Sequence, residues 1–245
     1  MVGDTFSLGP IAAPNPRDPL QREALADPLG FLQSCAARSR EFIVDYRCRF
    51  HRLEKRGERL DPGEVMDVRF RESPYSVSMR WIQNPREADS ICYVAGRWNQ
   101  GGRSLALVEP HGVLGWLTPG GVKIDIHGAR ARSVSERSID QFGFQKTIDR
   151  ILELCESMES DPEFRLRFLG TGRLDGRESL VFERRLPYHH PVSPSHDRIL
   201  LLYIDREWRV TTGCFAFADD DRRDLLGSYV TTDVEFNAGL TEEDF

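Results

Sequence analysis

Phe42-Ile43-Val44-Asp45-Tyr46-Arg47-Cys48-Arg49-Phe50-His51 decides the fold class. Phe42, Val44, Tyr46, Cys48 and Phe50 alternate with Ile43, Asp45, Arg47, Arg49 and His51. A period of two, apolar on one side and mostly charged on the other, predicts a half-buried strand. Immediately upstream the period is different. Asp27-Pro28 offers a capping carboxylate and a proline for the first turn, and Leu29, Leu32, Cys35 and Ala36 follow at three-four spacing. That predicts a helix from about Pro28 to Ser39.

The alternation repeats downstream. Met66, Val68 and Phe70 oppose Asp67, Arg69 and Arg71, and Tyr75, Val77, Met79 and Trp81 oppose Ser76, Ser78 and Arg80. Ile91–Gly96 and Arg103–Glu109 form a hairpin pattern around residues 99–102, and Val122, Ile124 and Ile126 add a short strand. Residues 129–140 are polar and are expected as a loop. A second helix is expected from Gln141 to Glu159, with the stripe Phe144, Ile148, Ile151, Leu152, Cys155 and Met158. Phe164–Thr171 and Arg177–Leu186 then pair around Leu174-Asp175-Gly176, and three further strands lie at residues 198–204, 208–217 and 228–236. Short connections between consecutive strands favour an antiparallel meander of about eleven strands. Residues 1–27 lack periodicity and are expected as a flexible leader, with one domain over residues 28–245.

Composition narrows the function. The 245 residues are 40% hydrophobic and 29% charged, with net charge −6, which opposes a general nucleic-acid binder. No apolar run reaches ~18 residues, so no membrane-spanning helix is expected. A basic start followed by an apolar stretch is absent at the N-terminus, so the chain carries no signal-peptide pattern and a cytoplasmic location stays open. The five cysteines are widely spaced and read as buried thiols, without a metal motif.

Motifs for chemistry are weak. Gly170-Thr171-Gly172 with Gly176 only faintly resembles a dinucleotide fingerprint and is read as a turn. His189, His190 and His196 with Asp197 are chemically adequate for zinc but sit among three prolines, and no metal is expected there. Asp219-Asp220-Asp221 is read as a hairpin end. Arg47, Arg49, Arg69 and Arg71 either line an anionic site or form a solvated sheet face. No cofactor is called for, and no pair of carboxylates is singled out as catalytic. What stands out is an apolar wall of Tyr46, Phe50, Met66, Phe70, Tyr75, Met79 and Trp81 on consecutive strands, with only two helices expected to cover it.

Asp45–Phe50, Glu64–Arg71, Tyr93–Gly96 and Phe236–Phe245 resemble an uncharacterised bacterial family, domain of unknown function 1571. The run Ser73-Pro74-Tyr75-Ser76-Val77-Ser78-Met79-Arg80-Trp81 is similar to that family's most characteristic stretch. The resemblance implies a fold related to the LolA/LolB-like periplasmic lipoprotein carriers. That is an α+β domain whose strongly curved antiparallel sheet forms an incomplete β-barrel, with two main helices over its concave face. It also implies an extracytoplasmic setting, in the periplasm or cell envelope. The expected function is non-enzymatic binding of a lipid, acyl chain or other hydrophobic ligand at the seven wall residues, with an envelope protein as a possible partner. The alternatives are an interaction protein with a closed core and a hydrolase whose site is not visible in the sequence.

If the cysteines are core residues, thiol titration of the denatured chain finds most of the five free. Two disulfides would contradict that expectation.

Overall fold

The computed structural model describes residues 7–135, 137–187 and 197–245. His189, His190 and His196 lie outside them. In chain order the elements are α1 (Pro19–Ala26), α2 (Pro28–Phe42), β1 (Asp45–Arg56), β2 (Arg59–Leu60), β3 (Glu64–Arg71), β4 (Ser76–Gln83), β5 (Ala88–Val94), β6 (Leu105–Pro110) and α3 (Val113–Leu117). They continue with β7 (Val122–Asp125), α4 (Ala129–Val134), α5 (Phe144–Ser157), β8 (Arg165–Leu174), β9 (Arg177–Arg185), β10 (Ile199–Asp205), β11 (Thr211–Phe217) and β12 (Leu225–Phe236).

The protein is α+β. Its twelve-stranded sheet has the order β7-β6-β5-β4-β3-β1-β12-β11-β10-β9-β8, with β2 appended to β1. Because β7 and β8 end this path, the sheet is open and does not close into a barrel. The chain divides into two compact units built from interleaved segments. One comprises residues up to Phe42, Arg52–Asp61 and Phe144–Thr232; the other comprises Ile43–His51, Pro62–Gly143 and Asp233–Phe245.

In the first unit, both helix starts use carboxylates. Asp18 accepts from the backbone N–H of Leu20 at 3.0 Å, and Asp27 accepts from Gly30 at 2.9 Å. Phe31, Leu32 and Cys35 of α2 and Ile148, Ile151, Leu152 and Cys155 of α5 pack on one side of the sheet against Phe168, Leu180, Phe182, Leu202 and Ile204. The α5 stripe is the one read from the sequence, and Met158 just beyond the helix is also buried. The Phe31 and Phe182 rings stack at 5.5 Å.

One-sided strands were expected, but β10 is buried along its whole length. Its run Ile-Leu-Leu-Leu-Tyr-Ile-Asp is continuously apolar up to Asp205, as both-face burial requires. The second apolar face holds Val181, Ile199, Leu201, Tyr203 and Phe215, and Ile11 packs there. Residues 7–27, expected as a leader, therefore have structure. Besides α1 they form bridges Leu8↔Leu174 and Ala12↔Thr171, the latter with N···O distances of 2.7 and 3.1 Å. Gly170 permits this approach: a Cβ there would lie 1.9 Å from the Ala12 carbonyl oxygen, and its φ is +123°. Of the glycines in the faint nucleotide motif, Gly170 thus serves backbone packing, and Gly172 lies against the Val181 and Tyr203 side chains. Asp175 and Gly176 both take positive φ in the β8–β9 turn, matching the hairpin signal.

In the second unit, β3 and β4 pair with Met66↔Trp81, Val68↔Met79 and Phe70↔Val77 in register. Val77↔Tyr93 and Met79↔Ile91 extend the row onto β5. Directly opposed residues share a face, so this is one apolar surface. Asp67↔Arg80, Arg69↔Ser78 and Arg71↔Ser76 form the other.

Three local expectations change. α2 runs on through Phe42, so Phe42 and Val44 precede the strand and are exposed. Residues 129–140 contain α4 and a 3-10 turn, Ile139–Gln141. α3 was not anticipated at all. Elements of five or six residues are too short to print a helical period.

Gly170→Ala is expected to strain the backbone by roughly 1–3 kcal/mol, lowering Tm by several degrees. An unchanged thermal melt would contradict the role assigned to Gly170.

Candidate functional site

The seven wall residues all belong to the second unit. β1 supplies Tyr46 and Phe50, β3 supplies Met66 and Phe70, β4 supplies Met79 and Trp81, and Tyr75 stands just before β4. Tyr46, Met66 and Phe70 are at most 1% exposed and Met79 is 8% exposed, while Phe50, Tyr75 and Trp81 are half-buried. Tyr46 stacks on Phe70 at 4.7 Å, and Phe236 meets Tyr46 edge-on at 6.1 Å. Phe70 in turn meets Tyr75 edge-on at 5.4 Å. Trp81 donates its indole N–H to Glu64 at 2.9 Å, giving a buried acid a partner.

The segment 139–143 lies over the part of this wall formed by Phe50, Phe70 and Tyr75. Phe142, which sequence reasoning did not single out, lies 5.2 Å from the Phe50 ring and 6.2 Å from the Phe70 ring. Ile139 packs with Tyr75 and Ile91 against the Tyr93–Ala106–Ile126 cluster. The Tyr75 hydroxyl reaches the carbonyls of Phe142 at 2.8 Å and Ile139 at 3.0 Å. Burial pushes this hydroxyl's pKa up, and the charges of Asp140 and Glu72 push the same way, so it remains a donor. Gly143 has φ +116°, and a Cβ there would come within 3.0 Å of the Phe70 ring. The cover is therefore pinned at one end by a glycine against an aromatic ring.

The opposite face of these strands is basic. Arg47 and Arg69 approach Asp244 at 3.3 and 3.8 Å, Arg71 binds Glu242 at 2.6 Å, and Arg97 also binds Glu242. The Arg71 guanidinium lies 5.1 Å from the Phe245 ring. Arg49 pairs with Asp233 at 3.2 Å and lies 3.8 Å from Asp67. Arginine side chains read as a solvated face or an anionic site thus engage the chain's own acids, several of them in Thr241–Phe245. The signal was the sign complement between Glu242-Glu243-Asp244 and the arginine rows.

A cavity of about 250 Å³ in the first unit is lined by Arg167, Glu183, Arg185, Ile199, Asp220, Asp221 and Arg222. Its three guanidiniums face three carboxylates. Glu183 binds both Arg167 and Arg222, and Arg185 binds Asp220 at 2.7 Å. Burial alone would raise Glu183, but the two arginines hold it below its ordinary value. Arg198 and Arg185 likewise hold Asp220 down. Carboxyls kept ionised by arginine are the opposite of what a general acid needs.

All five cysteines are free, and all but half-buried Cys92 are buried. Burial pushes the Cys35 and Cys155 thiols up to about 11, which makes them poor nucleophiles.

The profile of a family described as a protein of unknown function, DUF1571, matches residues 43–245. No curated protein matches the sequence. Among solved structures, MucB superposes with a TM-score of 0.51 at 16% identity, over 89% of this chain and 62% of that one. A chain of the Pseudomonas aeruginosa MucA/MucB complex gives 0.50 at 16% identity, over 88% and 59%. The Mycobacterium tuberculosis lipoprotein LppX gives 0.43 at 11% identity, over 88% and 98%. At such identities the MucB likeness is one of fold, and this chain spans about three fifths of those two chains.

Glu183 has a depressed pKa in the folded protein, so its pairing stabilises fully above its ordinary value of 4.5 and is lost as pH falls through the folded pKa. Glu183→Gln should therefore be less stable than wild type at neutral pH, with the gap closing below pH 4.5. A gap that stays constant in acid, measured by denaturant unfolding, would show that the pairing contributes nothing.

Proposed function

The chain belongs to the DUF1571 family, and from that premise we propose that it is a non-enzymatic binder of a lipid or acyl chain. The ligand takes the place of residues 139–143 on the wall formed by Tyr46, Phe50, Met66, Phe70, Tyr75, Met79 and Trp81. One observation carries this proposal. Over Phe50, Phe70 and Tyr75 the wall is covered by a short segment with a 3-10 turn, tied by the Tyr75 hydroxyl. Ile139 and Phe142 are half-buried, so uncovering them costs about 2–3 kcal/mol of apolar burial. Loosening the tie costs about 1 kcal/mol more. An acyl chain gains ~0.8 kcal/mol per buried methylene, so roughly five methylenes only offset both and a longer chain leaves a surplus for binding. Binding is thus selective for long chains. An extracytoplasmic setting and an envelope protein partner belong to the same proposal.

The competing proposal is an interaction protein with a closed core. The near-zero exposure of Tyr46, Met66 and Phe70 favours it.

Titration with fluorescent fatty acids separates the two. Wild type should bind a sixteen-carbon probe and ignore a six-carbon one. Met79→Asp places a carboxylate among apolar groups, at several kcal/mol if it stays charged and dry. A binding wall admits water there, so this variant should keep a cooperative melt and lose probe uptake. Tyr75→Phe keeps the ring, frees the cover and should raise uptake. Wild type that binds no long-chain probe, with Met79→Asp unfolded, leaves the closed core standing.

A further inference from the structure

The connection between β6 and β7 carries an apolar surface that the wall does not use. Residues 112–122 read Gly-Val-Leu-Gly-Trp-Leu-Thr-Pro-Gly-Gly-Val, with no charged side chain. Within them α3 leaves Val113 78%, Trp116 93% and Leu117 72% exposed. Single exposed apolar side chains are ordinary, but three within one short helix are not.

Local geometry enforces the exposure. Gly115 sits against β6, where a Cβ would come within 2.3 Å of the Pro110 carbonyl oxygen. The helix position closest to the sheet therefore has no side chain to bury. Gly112 precedes the helix with φ +71°, and Gly120 and Gly121 follow it with φ +88° and +79°, values that L side chains rarely adopt.

Size and charge identify the occupant. Three side chains offer a few hundred Å² at most, well short of the roughly 800 Å² that each partner of a stable protein complex contributes. A tryptophan with aliphatic neighbours suits a bilayer interface, where the ring is buried and the indole N–H stays wet. The charges around the base of the tip are mixed, Glu87, Asp89 and Glu109 lying near Arg80, Arg86 and Lys123, with no excess of positive charge. His111 donates its backbone N–H to the Glu87 backbone carbonyl, its ring binds Asp89 at 2.6 Å, Glu109 accepts from Ser90, and Lys123 follows the tip. Attraction to anionic headgroups is thus not the driving force. We infer that the β6–β7 tip docks on a lipid surface by inserting Val113, Trp116 and Leu117, without a requirement for anionic lipid. This surface is separate from the ligand wall, and docking is independent of acyl-chain uptake.

The test uses the full chain with phosphatidylcholine vesicles, read by co-sedimentation and by quenching of tryptophan fluorescence with brominated lipid. Wild type should sediment with the vesicles and be quenched. A Trp116→Ser, Leu117→Ser variant should melt as wild type does and bind at least about tenfold more weakly. Adding phosphatidylglycerol or salt should change wild-type binding little. The inference is overturned if wild type ignores the vesicles, or if the variant binds equally. Binding that depends on phosphatidylglycerol and vanishes in high salt also overturns it. So does wild type that forms a dimer lost in the variant while ignoring lipid, since the tip would then bind a second copy of the chain.

Discussion

Tyr75 has one hydroxyl proton and two backbone carbonyls within reach, those of Phe142 and Ile139. The Ile139 carbonyl also accepts from the Phe142 N–H at 3.2 Å, so Tyr75 can give its proton to Phe142 without leaving Ile139 unbonded. That donor ties residues 139–143 to the aromatic wall itself, while the Gln141 and Phe142 N–H groups bond within the turn to Ser138 and Ile139, and Asp140 meets His127 at 3.2 Å. Phe142 rests on Phe50 and Phe70 because its carbonyl is held, and Gly143 fits over Phe70 because it has no Cβ. A helix packed on the same wall would satisfy its own backbone internally. The turn makes two such bonds of its own, Gln141 N–H to Ser138 and Phe142 N–H to Ile139, and the Tyr75 hydroxyl adds the link from the turn to the wall.

The two faces of β1, β3 and β4 divide the labour. A period of two puts the aromatics on one side and the arginines on the other, and a one-residue slip would exchange them. The arginine side is largely occupied by Asp233, Glu242 and Asp244, so its charge is met within the chain. The charged cavity near Glu183 is balanced in the same way. Neither place offers an excess of one sign to a ligand. The apolar wall is left as the surface on which the functional proposal rests.

Strand faces were legible because side-chain alternation is a local property. Met66, Val68 and Phe70 announce their common face in five consecutive residues. The α5 stripe and the Asp27-Pro28 helix start were legible for the same reason. What stayed hidden depends on contacts distant in sequence. Nothing near Gly170 says that Ala12 will lie against it, and nothing near Tyr75 says that its hydroxyl will find Phe142. α3 escaped because five residues cannot display a helical period, and because its glycine and apolar content reads equally well as a turn. Phe142 was hidden because the helix expected from Gln141 took it in, whereas α5 begins only at Phe144 and leaves Phe142 between it and a 3-10 turn.

The most direct test of the central claim is photo-crosslinking with a long-chain fatty acid that carries a diazirine near its methyl end, with adducts mapped by mass spectrometry. The account predicts saturable labelling of the wall at Met66, Phe70, Met79 or Trp81, competed by unlabelled fatty acid. Labelling that does not saturate, or that falls entirely outside the wall and residues 139–143, would contradict it.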